Sequence, residues 1–159
     1  MIIRRATPHD LPGIDLLLSQ VLDVHHAGRP DLFKPHARKY TDEQLLQIIA
    51  DDDRPIFVAV EEGAAPGSVL GYAFCVHQQH VDDNILTDVR TLYIDDICVE
   101  ENARGQHVGT ALYRHVLAYA REIGCYNVTL NVWSCNPDAS AFYQAMGMKP
   151  YKIGMETIL

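Results

Sequence analysis

Residues 93–112 read YIDDICVEENARGQHVGTAL: an apolar strand carrying two adjacent acids, a short polar turn, and a glycine-bearing start to a long helix. A strand that hands its end to a helix N-terminus through a glycine turn presents backbone N–H groups with no carbonyl to meet, together with the positive end of the helix dipole. Both favour an anion, so a phosphorylated ligand is expected at this turn. Arg104 sits beside it, and no acid occupies the first helical turn after His107, where acids commonly offset the dipole. Taken alone, R-G-Q-H-V-G at 104–109 is a weak motif, because such turns also serve as plain helix starts.

Upstream of this stretch, Ile2-Ile3-Arg4 reads as a short strand, and Thr7-Pro8-His9-Asp10 reads as a helix start with Thr as N-cap and Pro at the first helical position. Leu11, Ile14, Leu17, Leu18, Val21, Leu22 and His25 then recur at the spacing of a core-facing helix that ends near Gly28. GRPDLFKPHARKY at 28–40 has no period and reads as loop. Thr41 to Gln44 forms a capping box for a second helix. Residues 55–61 and 69–76 read as an antiparallel hairpin around EEGAAPGS, residues 77–88 as loop, and Val89 to Val99 as the next strand.

Downstream, the helix from about His107 to Gly124 places Val108, Ala111, Leu112, Val116, Tyr119, Ala120 and Ile123 on one face. Tyr126 to Val132 alternates as a strand, and Asn136-Pro137-Asp138 opens a further helix that Gly147 stops. Lys149 to Leu159 reads as one or two terminal strands. The order β α α β β β α β α β implies a single α/β domain over 1–159, with one mixed sheet and helices on both faces.

Bulk composition excludes several classes. A chain of 159 residues with 48% apolar and 21% charged residues is ordinary for one globular domain. No apolar run is long enough to span a bilayer, and MIIRRATPHD has no hydrophobic leader core, so no membrane association and a cytoplasmic location are expected. Cys75, Cys98, Cys125 and Cys135 lie far apart and read as free thiols. A net charge of −8 repels phosphate backbones, which disfavours nucleic acid and favours a cationic substrate or partner.

Two spaced motifs bring out a resemblance that covers essentially the whole chain. Ile94-Asp95-Asp96-Ile97-Cys98-Val99 followed by Arg104 and Gly109 resembles the strand and the Q/R-x-x-G/A-x-G/A turn of the GNAT superfamily of N-acetyltransferases. Asn136, Ala139, Phe142, Tyr143, Gly147 and Met148 resemble that superfamily's N-x-x-A-x-x-(F/L)-Y-x-x-x-G-(F/M) segment. One position departs: His107 stands where Gly or Ala is usual, and it brings a Cβ and an imidazole to a place where backbone approaches phosphate.

The resemblance implies the GNAT fold, an α/β domain with a mixed, mostly antiparallel central sheet flanked by helices, and transfer of an acetyl group from acetyl-CoA to a primary amine, of a polyamine-like small molecule or a peptide, by direct attack in a ternary complex. Such a reaction needs a neutral amine, a polarised thioester carbonyl and an acid for the departing thiolate. It implies that Arg104, Gly105, Gln106, His107, Val108, Gly109 and Thr110 cradle the pyrophosphate. Backbone N–H groups around Ile97, Cys98 and Val99 would polarise the carbonyl, beside a bulge in that strand. Asn136 is a candidate for the pantetheine arm, although an N-cap role explains it equally.

Asp95 resembles the carboxylate that takes the amine proton in the polyamine acetyltransferases, with desolvation raising its pKa. Asp96, its neighbour on a regular strand, would point to the opposite face in a structural role, and Tyr93 is the rival position for the base. Tyr143 resembles the acid whose hydroxyl meets the CoA sulfur; without the resemblance it would read as a core tyrosine.

His25, His26, Arg29 and Phe33 fall where the superfamily places its substrate-covering loop, and Trp133 could line the acceptor cleft or simply pack. Neither His25-His26 nor Cys75, His77 and His80 has a zinc spacing, so no metal is expected. By resemblance, a homodimer through the C-terminal strands is plausible. The competing readings are a non-catalytic acyl-CoA-binding module, disfavoured by the pairing of Asp95 with Tyr143, and a P-loop nucleotide binder, disfavoured by the missing G-K-S/T.

Overall fold

A computed structural model describes residues 1–159. The elements are β1 (Ile2–Arg5), α1 (Leu11–Gly28), α2 (Asp42–Ile49), β2 (Ile56–Val60), β3 (Gly71–Gln79), β4 (Arg90–Val99), α3 (Val108–Glu122), β5 (Asn127–Leu130) and α4 (Pro137–Ala145). They build one five-stranded sheet in the order β1-β2-β3-β4-β5, antiparallel from β1 to β4 and parallel between β4 and β5. A parallel pair needs a crossover connection, and α3 supplies it. The mixed sheet with helices on both faces is the architecture that the element order implied, and its mostly antiparallel pairing is the one that the resemblance implied.

Each face has its own core. Ile14, Leu17 and Leu18 of α1 and Leu45 and Ile48 of α2 pack with Val58, Tyr72 and Phe74 on one face. Val108, Leu112, Val116 and Ala120 of α3 pack with Phe57, Ala59, Ala73, Cys75, Leu92 and Ile94 on the other. Burying each Leu, Ile or Val contributes about 1.5–3 kcal/mol, and this fixes both helix layers against the sheet.

Local chemistry sets the helix starts. At α2, Thr41 Oγ1 accepts from the Gln44 amide and Gln44 Oε1 accepts from the Thr41 amide, the reciprocal box read from the sequence. At α1 a single 3₁₀ turn, Pro8–Asp10, comes first. Asp10 is buried there, accepting from Thr7 N at 2.8 Å and Thr7 Oγ1 at 2.9 Å and pairing bidentately with Arg4.

Three features depart from expectation, and two of them shape the site. The pairing of β4 with β3 shifts: Phe74 faces Asp96 and Cys75 faces Ile94, so Asp95 is the extra residue of a β-bulge. Ile94 and Ile97 consequently both pack in the α3 layer, and the two acids between them both fall on the α1 side. Adjacent acids point to opposite faces only where the period of two is intact, so that expectation is corrected. The bulge lies at Asp95 and not around Ile97 to Val99.

The second feature is an opening in the sheet. β5 pairs with β4 only from Thr91 to Ile94, so Asp95 to Val99 has β3 on one side and a free edge on the other. The third is the C-terminus: Lys149 to Leu159 forms no strand, and Tyr151, Ile153 and Met155 are exposed. Its alternating side chains carry a strand signal, but no ladder partner stands beside it in this chain. It is held instead where Arg29 pairs with Glu156 at 2.9 Å.

Candidate active site

The turn between β4 and α3 has the backbone of an anion cradle. Gly105 and His107 both adopt left-handed conformations, with φ of 77° and 62°. His107 is the N-cap of α3 and makes no side-chain capping bond, while the first turn of α3 carries no acidic residue. The amides of Val108, Gly109 and Thr110 therefore keep the dipole end free for an external anion. The usual glycine at position 107 thus has a conformational reason besides closeness to phosphate, since His107 occupies φ space that costs an L-residue about 1–2 kcal/mol.

Neighbouring groups complete this end of the site. Arg104 folds back so that its Nε donates to Val99 O at 3.3 Å. Gly109 lies between Val99 and Phe142, which brings α4 against the start of α3. Asn136 Oδ1 accepts from the Ala139 amide at 3.2 Å, so its carbonyl serves as the cap of α4. No acidic side chain stands between Arg104 and Thr110, and the amides of the first turn of α3 have no side-chain cap, so these residues fit a pyrophosphate.

Next along β4 the bulge presents the acidic pair. Lys39 Nζ donates to Asp95 Oδ2 at 2.9 Å, and Tyr72 Oη donates to Asp96 Oδ2 at 2.7 Å. Burial pushes the Asp96 carboxyl above the usual carboxylate range, although Lys39 and the Tyr72 hydroxyl pull the other way. For Lys39, burial alone would lower the ammonium pKa, but the hydrogen bond and charge of Asp95, with the charge of Asp96, raise it overall. Asp95 is the accessible member of the pair, and its side chain keeps a third of its surface exposed (33%).

Tyr143 on α4 packs beside Phe142 and Tyr113, with ring centroids 5.2 and 6.4 Å away. Burial, reinforced by the negative charge of Asp96, raises its phenol pKa above the ordinary tyrosine value. It therefore holds its proton through the neutral range and is available as a proton donor. The two cysteines of the central strands are poor nucleophiles, because burial pushes both Cys75 and Cys98 up to about 12. Cys98 Sγ instead points at Leu17 O, 3.6 Å away in the α1 layer.

The residues of the covering loop gather on the same side as the acids. His25 lies against Phe33 (centroids 5.0 Å), and Phe33 meets Trp133 edge-on (5.3 Å). Burial lowers the pKa of His25, with Asp96 opposing and Lys39 assisting, so its ring is neutral at pH 7. His26 Nδ1 lies 2.7 Å from Phe33 O and ties the loop to α1. Gly28 lets this happen, since a Cβ there would stand 2.7 Å from Cys135 Sγ and push α1 away from the Trp133 turn. Tyr93 Oη, on the same face, accepts from Asn131 Nδ2 at 3.2 Å.

Lys39, Tyr72 and Asn131 are site residues that sequence reasoning missed. Lys39 is one of several basic residues in an aperiodic loop and carries no signal of its own. Tyr72 had one: a half-buried carboxylate at position 96 requires a donor, and a tyrosine on the neighbouring strand is a natural source. The histidines and cysteines at 25–26 and 75–80 do not gather into any group of three metal-ligating side chains.

Comparison with known proteins agrees with this geometry. The acetyltransferase (GNAT) family profile matches residues 21–148. A probable glucosamine 6-phosphate N-acetyltransferase 2 from Oryza sativa subsp. japonica is 32% identical over 153 residues, covering 91% of this chain and 80% of that protein. A thialysine N-epsilon-acetyltransferase from Bos taurus is 26% identical, covering 66% of this chain and 63% of the other. Among solved structures, a tetramutant of the BH1408 protein from Bacillus halodurans superposes with a TM-score of 0.93 at 26% identity, covering 100% of both chains. With a free-edged β4, an acid-free helix start and the matching profile over most of its length, the chain belongs to the acetyltransferase (GNAT) family and is an acetyl-CoA-dependent N-acetyltransferase.

Proposed function

We propose that the acceptor is the primary amine of a small molecule, bound at Asp95 on the bulge of β4. The observation that carries this reading is the Lys39 ammonium held 2.9 Å from Asp95 Oδ2: the carboxylate already binds a primary ammonium, beside the free edge of β4. The names of the relatives, glucosamine 6-phosphate and thialysine acetyltransferases, support a small amine over a protein substrate.

When bound, acetyl-CoA supplies an activated acetyl thioester. The first turn of α3, with Arg104 to Thr110, would hold its pyrophosphate, and amides along the free edge of β4 from Ile97 to Val99 would polarise its carbonyl. Asp95 orients the acceptor nitrogen and accepts its proton, directly or through water. Tyr143, protonated at neutral pH, gives a proton toward the departing sulfur. His25, Phe33 and Trp133 form a wall over the acceptor. With both buried thiols protonated, direct transfer in a ternary complex is favoured over an acyl-cysteine route.

The test is thiol release from acetyl-CoA with panels of amino sugars, amino acids, polyamines and peptide N-termini. Acetylation confined to peptides would overturn the small-molecule reading. We also propose a homodimer in which the 149–159 segment lies against a second copy, supported by the exposed Tyr151, Ile153 and Met155 and by the uncovered outer edge of β5. A monomeric mass by light scattering would exclude it.

A further inference from the structure

Lys39 stands where the acceptor nitrogen must go, and its surroundings restrict what can replace it. Its backbone is pinned on one side: Tyr40 stacks on Phe74 with centroids 6.1 Å apart, and Thr41 caps α2. The ammonium lies 5.4 Å from the Tyr40 ring centroid and 6.0 Å from that of Phe74, and the side chain is only 29% exposed. An acceptor ammonium taking its place on Asp95 leaves the Lys39 charge close by, partly desolvated and tethered. That charge then needs a new anion.

The protein offers no unengaged one. Asp96, whose charge also acts on Lys39, is half-buried and has its Oδ2 engaged by Tyr72. Asp15 and Asp42 are both taken by Arg38, and Asp31 and Glu156 by Arg29. The remaining groups that face the pair are His25 from α1 and Tyr93 from β4, and neither supplies a negative charge.

We infer that Lys39 is a specificity-determining residue, and that the acceptor carries an anionic group, a carboxylate or a phosphate, which Lys39 takes as the acceptor amine takes Asp95. The same geometry rejects polyamines, because a second cation would meet Lys39 with no carboxylate to spare. This rests on the reading of Asp95 as the acceptor site and narrows it from any small amine to an amine paired with an anion.

The experiment compares kcat/KM for 6-aminohexanoate, hexylamine and 1,6-diaminohexane, and separately for glucosamine 6-phosphate and glucosamine, in the wild type, Lys39→Met, Lys39→Arg and Lys39→Glu. The first series tests a carboxylate and the second a phosphate. The wild type should prefer the anionic member of at least one series by about tenfold or more, the scale of one charge-assisted hydrogen bond. Lys39→Met should erase that preference, Lys39→Arg should keep it, and Lys39→Glu should shift it toward the diamine. A preference unchanged in Lys39→Met overturns the inference while leaving the acceptor site standing. Loss of rate by the same factor for every amine also overturns it, since that marks a purely structural lysine. If the wild type binds CoA but acetylates no member of either series, the reading of Asp95 as a small-amine site falls, and this inference falls with it.

Discussion

Ile94 and Ile97 of β4 pack into the same layer beneath α3 although they stand three residues apart, because the bulge at Asp95 inserts one residue between them. The insertion turns two neighbouring carboxylates toward one side of the sheet and divides their labour. Asp96 is driven inward onto Tyr72, and Asp95 is left at the surface of the cleft with a cation on it.

That division makes the acids separable by mutation. Asp95→Asn removes the proposed proton acceptor and should lower kcat by about 10²–10⁴-fold, the range of a positioned general base. Asp96→Asn retains an oxygen that can accept from Tyr72 and should cost less than about tenfold in kcat. Steady-state kinetics at neutral pH for both variants check the assignment, and equal losses would contradict it.

For Tyr143 the direction of the pKa shift sets the alkaline behaviour. Its phenol is raised by burial and by Asp96, so it stays protonated beyond the ordinary tyrosine value of about 10. The wild-type rate should therefore show no fall attributable to this group between pH 7 and about 10. Tyr143→Phe should lower kcat by about 10²-fold or more with little change in acetyl-CoA affinity. Calorimetric binding of CoA to the variant separates a lost proton donor from a damaged cofactor site.

The parts of this site that were legible in the sequence are those built from local spacing. The strand-turn-helix at 93–112, the stripe of α1 and the second motif on α4 each depend on residues near one another along the chain. What was not legible depends on cross-strand or loop placement. The bulge is defined by how Phe74 and Cys75 face Asp96 and Ile94, and no residue in β4 announces it. Lys39 acquires its role only because the end of the 29–41 loop lands over Asp95. The tail failed in the opposite way: Tyr151, Ile153 and Met155 alternate like a strand, but this chain offers them no ladder partner.

His107 provides a test of backbone strain at the cradle. Its φ of 62° is tolerated by histidine at a cost, free for glycine, and worst for a β-branched residue. His107→Gly should raise stability by about 0.5–1 kcal/mol, the relief of left-handed strain offset in part by the greater chain entropy of glycine. His107→Val should lower it by at least about 1 kcal/mol. Thermal unfolding should rank Gly above His above Val. CoA affinity should be kept in His107→Gly, because the proposed phosphate contacts there are backbone amides.

The last prediction concerns the link between β1 and α1, on which the acceptor side of the site rests. Burial would raise the Asp10 pKa, but the bidentate Arg4 pair and the Thr7 amide and hydroxyl outweigh it and bring the carboxyl below its usual value. A carboxyl lowered in the folded state contributes stability that is present in full above the unfolded pKa of about 3.9 and is lost as pH falls through the lower folded value. Asp10→Asn should therefore destabilise the protein at pH 7 by about 1–3 kcal/mol, tempered because Arg4 keeps 39% of its side chain in water. Denaturant titrations at pH 7 and below pH 4 check the sign: the gap between wild type and variant should shrink on acidification. A gap that stays constant would mean that Asp10 contributes by shape and neutral hydrogen bonding and not by its charge.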